Sequence, residues 1–260
     1  MTERTIETPP NPDSPAASPA LLGAAPGVRG ASVGEGADDA YYHSSRPDLR
    51  ALIPADARRA LDVGCGAGAL GAALKEERGM EVHGIELFPD AAAVAAERLD
   101  AVITADLETL DALPVPRDYF DAMTFGDVLE HVHDPHRLLR VLRPYLAPGG
   151  LIACSIPNVK HWSVVFSLLV KDRWTYEDKG LLDRTHVHFF TLEEIDHMLQ
   201  DTGFAPVSVQ AIASPLPPAL MPLAELAARF GAELDETVAR LGAYQYVVVA
   251  RRADDRSPQR

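Results

Sequence analysis

The sequence predicts an α/β fold in which a parallel sheet is covered by helices on both faces. Three observations lead to this prediction. Apolar runs alternate with helix-forming stretches from residue 60 onward, a glycine-rich turn follows the first apolar run at 64–68, and acidic residues follow the ends of the next two runs. Alternating β and α segments are typical of a parallel sheet with helices on both sides.

The first unit of this pattern is a strand, a tight turn and a helix. Residues 60–63 form a strand that is apolar except for Asp62, and residues 69–77 favour a helix that ends at Gly79. Glycine permits positive φ and lets a ligand approach the backbone, and a helix N-terminus offers unpaired N–H groups. A strand, turn and helix of this kind form a typical nucleotide-type ligand site.

The later elements continue the alternation. Six more strands are predicted, at 81–87, 101–105, 119–125, 151–156, 204–213 and 244–251. An alanine-rich helix from Asp90 to Leu99 separates the strands at 81–87 and 101–105. Asp134-Pro135 begins a further helix, because aspartate suits the N-cap and proline the first helical position. A capping box at 191–194 opens another, which ends at Gly203.

Two insertions interrupt the rhythm of strands and helices. Residues 159–190 are long for a connection and rich in aromatic and basic side chains, and residues 215–242 are mostly helical. Long connections are usually functional or disordered, and the first is too aromatic for disorder. We expect both to cover the site as lids within a domain of residues 41–253. The segments 1–40 and 254–260 are predicted to be disordered tails.

The composition limits the classes of partner. The formal net charge of −14 argues against nucleic-acid and anionic-membrane partners. The two cysteines, Cys65 and Cys154, do not suggest a disulfide framework, so we expect a reducing cytoplasm. No uncharged apolar run approaches the ~20 residues of a membrane span. The oligomeric state is not indicated.

The glycine turn alone is compatible with two cofactors. Gly64, Gly66 and Ala69 satisfy the spacing of a dinucleotide-binding turn, which is a weak signal when it stands alone. An acidic residue about 20 positions further on is expected to bind ribose hydroxyls, and Glu86 lies there. These residues fit a dinucleotide and an adenosyl cofactor equally well.

Five motifs decide between the two cofactors. The stretch Leu-Asp-Val-Gly-Cys-Gly-Ala-Gly at 61–68 is followed in order by Glu86, by Asp106-Leu107, by 120–131 and by the turn at 146–151. Together they resemble the class I S-adenosylmethionine-dependent methyltransferases over residues 58–158. No Tyr-x-x-x-Lys pair of a dinucleotide-dependent reductase is present.

This resemblance implies a Rossmann-like, doubly wound sheet of seven strands in the order 3-2-1-4-5-7-6, the last strand antiparallel, with helical lid insertions. It also implies S-adenosylmethionine as the cofactor. The residues expected to bind it are Asp62, Gly64, Cys65, Gly66, Gly68, Glu86, Leu87, Asp106, Leu107, Gly126 and Tyr42.

The segment 180–191, with the sequence Gly-Leu-Leu-Asp-Arg-Thr-His-Val-His-Phe-Phe-Thr, resembles a subgroup of these enzymes. The subgroup includes ubiquinone-type O-methyltransferases and bacterial enzymes of sugar and secondary-metabolite assembly. A small-molecule hydroxyl, or an amine, is therefore the expected acceptor. His186 and His131 are the candidate catalytic bases, because histidine titrates near neutrality. The candidate acceptor-binding residues are Asn158, His161, Trp162 and Arg184.

Two alternatives remain open at this point. The first is a catalytically silent cofactor-binding module built on the same sheet, and the second is the dinucleotide-dependent reductase. A metal site is not expected: histidines are dense at 131–136 and 186–188, but no carboxylate cluster accompanies them.

Overall fold

A computed structural model describes residues 45–253 of the chain. Tyr42 and both predicted tails lie outside the described residues. Within them, no helix combines the length and apolar character that a bilayer span requires.

A seven-stranded sheet forms the centre of the molecule, in the order β3-β2-β1-β4-β5-β7-β6. Only β7 runs antiparallel to its neighbours, β5 and β6. The predicted fold class and strand order are confirmed. The strands are β1 (Arg59–Val63), β2 (Glu81–Glu86), β3 (Ala101–Thr104), β4 (Phe120–Gly126), β5 (Leu146–Pro157), β6 (Phe204–Ala213) and β7 (Ala243–Arg252).

Helices cover both faces of the sheet. In chain order they are α1 (Pro47–Arg50), α2 (Ala69–Arg78), α3 (Pro89–Ala96), α4 (Pro135–Leu142), α5 (Trp162–Lys171), α6 (Leu192–Asp201), α7 (Met221–Arg229) and α8 (Leu234–Gly242). Residues of α1, α2 and α3 share one buried apolar cluster with one face of the central strands. Residues of α4 and α6 share a second cluster with the opposite face. Burial of the central strands on both faces explains why their sequences are nearly continuous apolar runs.

The helix ends follow the predicted local chemistry. The Asp134 carboxylate accepts a hydrogen bond from the Arg137 N–H at 2.8 Å, and the Thr191 hydroxyl accepts one from the Glu194 N–H at 3.4 Å. Gly79 ends α2 with φ of 63°. These contacts satisfy N–H groups that a helix terminus leaves without intrahelical partners.

Strand β5 begins earlier than the sequence predicts. Phe120 pairs with Leu146 and Ala122 pairs with Leu151. The pairing register therefore shifts between these two pairs, and the expected turn at 148–150 lies within this irregularity of β5. The strand therefore continues through the turn as a bulge, as the positive φ of Gly149 allows.

The closest packing in the first βαβ unit lies between the glycine turn and β2. A Cβ built on Gly84 would lie 2.5 Å from the Cys65 Sγ and 2.9 Å from a methyl carbon of Leu99. We therefore expect Gly84→Ala to reduce the free energy of unfolding by ~1–3 kcal/mol, the usual cost of overpacking. Urea denaturation measures it. The double variant Gly84→Ala with Cys65→Ala should recover part of the loss, and no recovery would contradict this explanation.

Candidate active site

The glycine turn has the conformation that the sequence predicts. Gly64, Gly66 and Gly68 all have positive φ, at 69°, 53° and 78°. The N–H groups of residues 64 and 65 both donate to the Ile85 carbonyl, at 2.8 and 3.0 Å, which fixes the turn to the end of β2. A Cβ at Gly66 would meet no atom within 4 Å, so the turn presents bare backbone to open space.

Glu86, the last residue of β2, is buried against this turn. Its Oε2 accepts a hydrogen bond from the Gly66 N–H at 2.8 Å, and its Oε1 accepts one from the Phe88 N–H at 2.9 Å. Each carboxylate oxygen has a second lone pair, so the group can still accept bonds from a vicinal diol. Leu87 beside it is 50% exposed, which places an apolar surface next to the acid.

Asp106 and Leu107 follow the end of β3 at the same edge of the sheet. The Ala105 N–H donates to the Glu86 carbonyl at 3.0 Å, which ties this segment to the end of β2. The exposed Asp106 carboxylate accepts a bond from the Glu108 N–H at 2.9 Å, which fixes a short turn. The structure therefore brings together the glycine turn, Glu86 and Asp106, as predicted from their positions after successive strands.

Asp62 lies beneath this edge, inside β1. Its Oδ1 accepts a hydrogen bond from the Thr124 hydroxyl at 2.7 Å, and its side chain is buried. Burial raises the pKa of the Asp62 carboxyl to about 6, with the Thr124 bond acting in the opposite direction. A carboxylate held at this depth offers negative charge to a cationic group above it, provided that the pH keeps it ionised.

Arg46 is a site residue that sequence reasoning missed. Its Nη1 forms an ion pair with the Asp127 Oδ2 at 2.8 Å, and its Nη2 contacts Asp48 at 2.9 Å. The guanidinium lies above Gly126, where a Cβ would be 3.1 Å from Nη1. Glycine at 126 therefore makes room for this cation at the end of β4. Nothing in the local sequence distinguishes Arg46 from the nearby Arg50, so the contact with Asp127 could not be inferred from it.

Asp127 is held on both sides. The Ser155 hydroxyl donates to its Oδ1 at 2.9 Å, and the Gln245 amide donates to the same oxygen. Burial raises the pKa of the Asp127 carboxyl, while the Ser155 and Gln245 bonds favour its ionised form. The positive φ of 55° at Asp127 turns the chain sharply after β4, toward Glu130 and His131.

Glu130, His131 and His186 form a compact cluster just beyond this turn. One ligand-type atom from each lies within 4.8 Å of those of the others, and the two imidazole rings meet edge to face with centroids 4.7 Å apart. Burial raises the pKa of the Glu130 carboxyl well above its usual range, and the charge of Asp127 acts in the same direction. Burial lowers the pKa of His186, and His131 lowers it further. The two candidate bases are thus brought together, with an acid that the sequence left without a role.

The first insertion delivers His186 to this cluster through its backbone. The N–H groups of Val187 and His188 donate to the Glu130 carbonyl at 2.9 and 3.1 Å. His188 itself turns outward and its Nε2 contacts the His133 carbonyl at 3.0 Å. A separate cavity of about 370 Å³ lies on that outer side, lined by residues that include His133, His136, His188 and His197. Among residues 45–253, only Glu130, His131 and His186 group closely enough for a shared ion.

The three residues that begin the first insertion have structural bonds. The Asn158 amide is buried and donates to the Arg240 and Ala243 carbonyls at 2.9 and 2.7 Å. The His161 ring contacts the Ser163 and Ser214 hydroxyls, and the Trp162 indole N–H donates to Ser214 at 3.2 Å. These polar groups hold the insertion to the sheet, and their role in acceptor binding stays a prediction.

Two further predicted site residues have structural side-chain contacts, and their roles stay predictions. The Cys65 side chain packs inward over Gly84 instead of facing a cofactor, and burial raises its pKa to about 12. Arg184 forms an ion pair with Asp178 at 2.6 Å between two largely exposed side chains. Such surface pairs contribute little, and this one braces the insertion locally.

A family model and a curated relative match the chain. The model, described as a methyltransferase domain, matches residues 39–209. A ubiquinone biosynthesis O-methyltransferase from Cereibacter sphaeroides is 33% identical over 166 residues. That alignment covers 62% of this chain and 65% of the relative, which is slightly less than two thirds of its length.

Solved structures share the fold. A structure of an S-adenosylmethionine-dependent methyltransferase from Mesorhizobium loti is 27% identical with a TM-score of 0.53, and the match covers 79% of this chain and 96% of that one. The cyclase SpnF matches with a TM-score of 0.54 at 21% identity, over 79% of this chain and 80% of that one. A likeness at the latter identity shows the fold alone.

Asp62→Asn should increase stability at neutral pH. The folded-state pKa of Asp62, about 6, lies above the ordinary value of 3.8, so the folded state holds a proton that the unfolded state loses between these values. The resulting loss of folding free energy is absent below about pH 4 and reaches its full size above about pH 6. We expect Asp62→Asn to gain up to ~3 kcal/mol at pH 7.5 and less at pH 5.

Urea denaturation at both pH values measures this difference. Asp56→Asn, at an exposed position, is the matched control and should show no such pH dependence. A variant that is no more stable than the wild type at pH 7.5 would show that the buried charge has no net cost.

Proposed function

The chain belongs to the methyltransferase-domain family of S-adenosylmethionine-dependent enzymes, and we propose that it methylates a hydroxyl oxygen of a small molecule. The single observation that supports this most is the bond between Glu86 and the Gly66 N–H. It fixes a bare glycine backbone and a carboxylate at one sheet edge, which suits an adenosyl ribose. Family membership also removes the reductase alternative.

Each part of the cofactor has a matching group at this edge. Glu86 suits the ribose hydroxyls, while Leu87, Asp106 and Leu107 suit the two faces and the amine of adenine. Asp62 lies beneath the position of the cationic end. Arg46 is proposed to meet the carboxylate of the methionine part, because it brings positive charge over Gly126.

S-adenosylmethionine supplies an activated methyl group on a sulfonium. An acceptor oxygen forms a bond to the methyl carbon as the carbon–sulfur bond breaks, and the electron pair of that bond remains on sulfur. The hydroxyl proton must leave. The protein therefore has to hold the oxygen in line with the methyl group and help to remove one proton, and alignment alone can supply several kcal/mol.

The acceptor hydroxyl is proposed to lie at His131 and His186. His131 follows the end of β4, and the first insertion brings His186 into contact with it, on the side of the sheet edge where Arg46 and Asp127 also lie. Their Nδ1 atoms contact backbone carbonyls, of Thr185 at 3.2 Å and of Leu181 at 3.3 Å. This arrangement leaves an Nε2 lone pair on each ring, which can accept a hydrogen bond from the acceptor hydroxyl. An oxygen acceptor also fits the Cereibacter sphaeroides relative, which is named as an O-methyltransferase.

Glu86→Ala should weaken binding of S-adenosylmethionine by roughly 1.5–3 kcal/mol, the range for hydrogen bonds to a charged group. Isothermal titration calorimetry measures it. Glu97→Ala, an exposed acid of the same βα unit, is the matched control and should bind like the wild type. Equal affinity of folded Glu86→Ala and wild-type protein would remove the ribose assignment.

His186→Ala should lower methyl transfer ~100-fold or more at unchanged cofactor affinity, since positioned proton acceptors contribute at least that much. The assay incubates the protein with S-adenosylmethionine and a panel of catechols, prenylated phenols and sugars, and mass spectrometry detects products one methylene heavier. His136→Ala, at a half-buried position on α4, is the control.

The panel also separates the proposed enzyme from a silent module. Methylated product with the wild-type protein supports the enzyme. Cofactor binding without product on any acceptor would favour the silent cofactor-binding module instead.

A further inference from the structure

We propose that Gln245 is a positioning residue for cofactor binding, which acts through Asp127 to fix Arg46 at the methionine end of S-adenosylmethionine. The proposal rests on the role proposed above for Arg46, because Gln245 is inferred to act through that side chain. Gln245 lies near the start of β7, shortly after the second insertion. The proposal therefore connects this late part of the chain with the cofactor edge.

The direction of β7 brings Gln245 to the cofactor edge. The parallel strands end at that edge, whereas an antiparallel strand such as β7 begins there. Gly126 at the end of β4 pairs with Ser155, and Ser155 pairs with Val247 on β7. Gln245 lies two residues before Val247, so both side chains project from the same face of the sheet. This places the Gln245 side chain beside the chain that leaves β4.

Gln245 is a polar residue at the end of an apolar row. Val247 and Val249, which project from the same face of β7, belong to the apolar cluster that also contains Leu49 of α1. Gln245 continues this row and is only 8% exposed. A buried amide costs free energy unless it is hydrogen-bonded. Its amide nitrogen donates to the Asp127 carboxylate, so that bond accounts for a polar side chain at this position.

The two oxygens of the Asp127 carboxylate have different partners. Oδ1 accepts hydrogen bonds from the Ser155 hydroxyl at 2.9 Å and from the Gln245 amide. Oδ2 accepts from the Arg46 Nη1 at 2.8 Å. Ser155 and Gln245 belong to adjacent strands of the sheet, so they fix the orientation of the carboxylate from the core side. The direction in which Oδ2 meets the guanidinium follows from that orientation.

Arg46 needs such support because it lies outside the sheet. It precedes the four-residue helix α1 and has a left-handed φ of 45°. Asp48 holds its Nε and Nη2 at 3.1 and 2.9 Å, but Asp48 belongs to α1 itself. Of these two acidic partners, Asp127 is the one that joins the guanidinium to the sheet. Its fixed orientation therefore transmits the geometry of the sheet to Arg46.

The same two donors also favour the charged form of Asp127. Burial raises the pKa of the Asp127 carboxyl, and the bonds from Ser155 and Gln245 lower it. A hydroxyl and a primary amide are neutral donors, so they stabilise the carboxylate without competing with Arg46 for its charge. Loss of the Gln245 donor should therefore weaken both the orientation and the charge of the group that holds Arg46.

The test compares two ligands that differ at the methionine end. S-adenosylhomocysteine, the demethylated product, carries the carboxylate, whereas 5′-methylthioadenosine has the adenosyl part without the amino-acid part. Gln245→Met keeps the length of the side chain and removes the donor. Calorimetry on the full chain should show a dissociation constant for S-adenosylhomocysteine raised about 10-fold, the lower end for a hydrogen bond to a charged group, and an unchanged value for 5′-methylthioadenosine.

Two further variants make the comparison specific. Gln210→Met, at an exposed position on β6, is the matched control and should bind both ligands like the wild type. Arg46→Gln should also weaken binding of S-adenosylhomocysteine. Adding Gln245→Met to Arg46→Gln should then change the dissociation constant less than about two-fold, because residues that act through one another are not additive.

Circular dichroism shows whether each variant is folded. Equal affinity of Gln245→Met and wild type for S-adenosylhomocysteine, or equal losses for both ligands, would overturn the proposal. An undiminished loss in the Arg46→Gln background would overturn it as well, since Gln245 would then act without Arg46. Normal binding by Arg46→Gln would contradict the role proposed for Arg46 together with this inference. Methylated product in the acceptor panel would still support the proposed enzyme in each of these cases.

Discussion

The hydrogen bond from the Gly66 N–H to Glu86 is the interaction on which the rest of the site depends. It joins the glycine turn after β1 to the end of β2, and the two carbonyl contacts at Ile85 reinforce the same junction. Bonds to a charged acceptor stabilise by roughly 1.5–3 kcal/mol, so this bond and the Ile85 contacts together help to hold the loop of three positive-φ glycines in one conformation. The bare backbone and the carboxylate are therefore already in place before a ligand binds, which reduces the entropy cost of ordering the loop on binding.

The predictable part of the molecule is the part with local chemistry. Asp134, Thr191 and Gly79 determine helix ends through bonds to near neighbours, so their roles can be inferred from a few adjacent residues. The strand order followed from the family resemblance, since alternation alone gives only a parallel sheet. The unpredicted part consists of contacts between distant segments. Arg46 reaches Asp127 and Glu130 approaches His186 only because of strand register and the path of an insertion, neither of which leaves a local pattern.

We propose that the sheet and the insertions have separate functions. A cyclase shares this fold, so the fold alone does not determine the reaction. We propose that the chemistry of the acceptor depends instead on groups placed beyond β4 and in the first insertion. Asn158, His161 and Trp162 belong to this second group in an indirect way, because their buried bonds anchor the insertion that carries His186.

The attachment of this insertion has a consequence for the diversification of the enzyme. Val187 and His188 are joined to Glu130 by main-chain groups alone, which every residue except proline can supply. The exposed side chains along 172–179 can therefore be exchanged over generations while the segment keeps these main-chain contacts. Substitutions in this stretch would leave the glycine turn and Glu86 unchanged. A mutant library confined to these positions is therefore a direct way to seek altered acceptor selectivity.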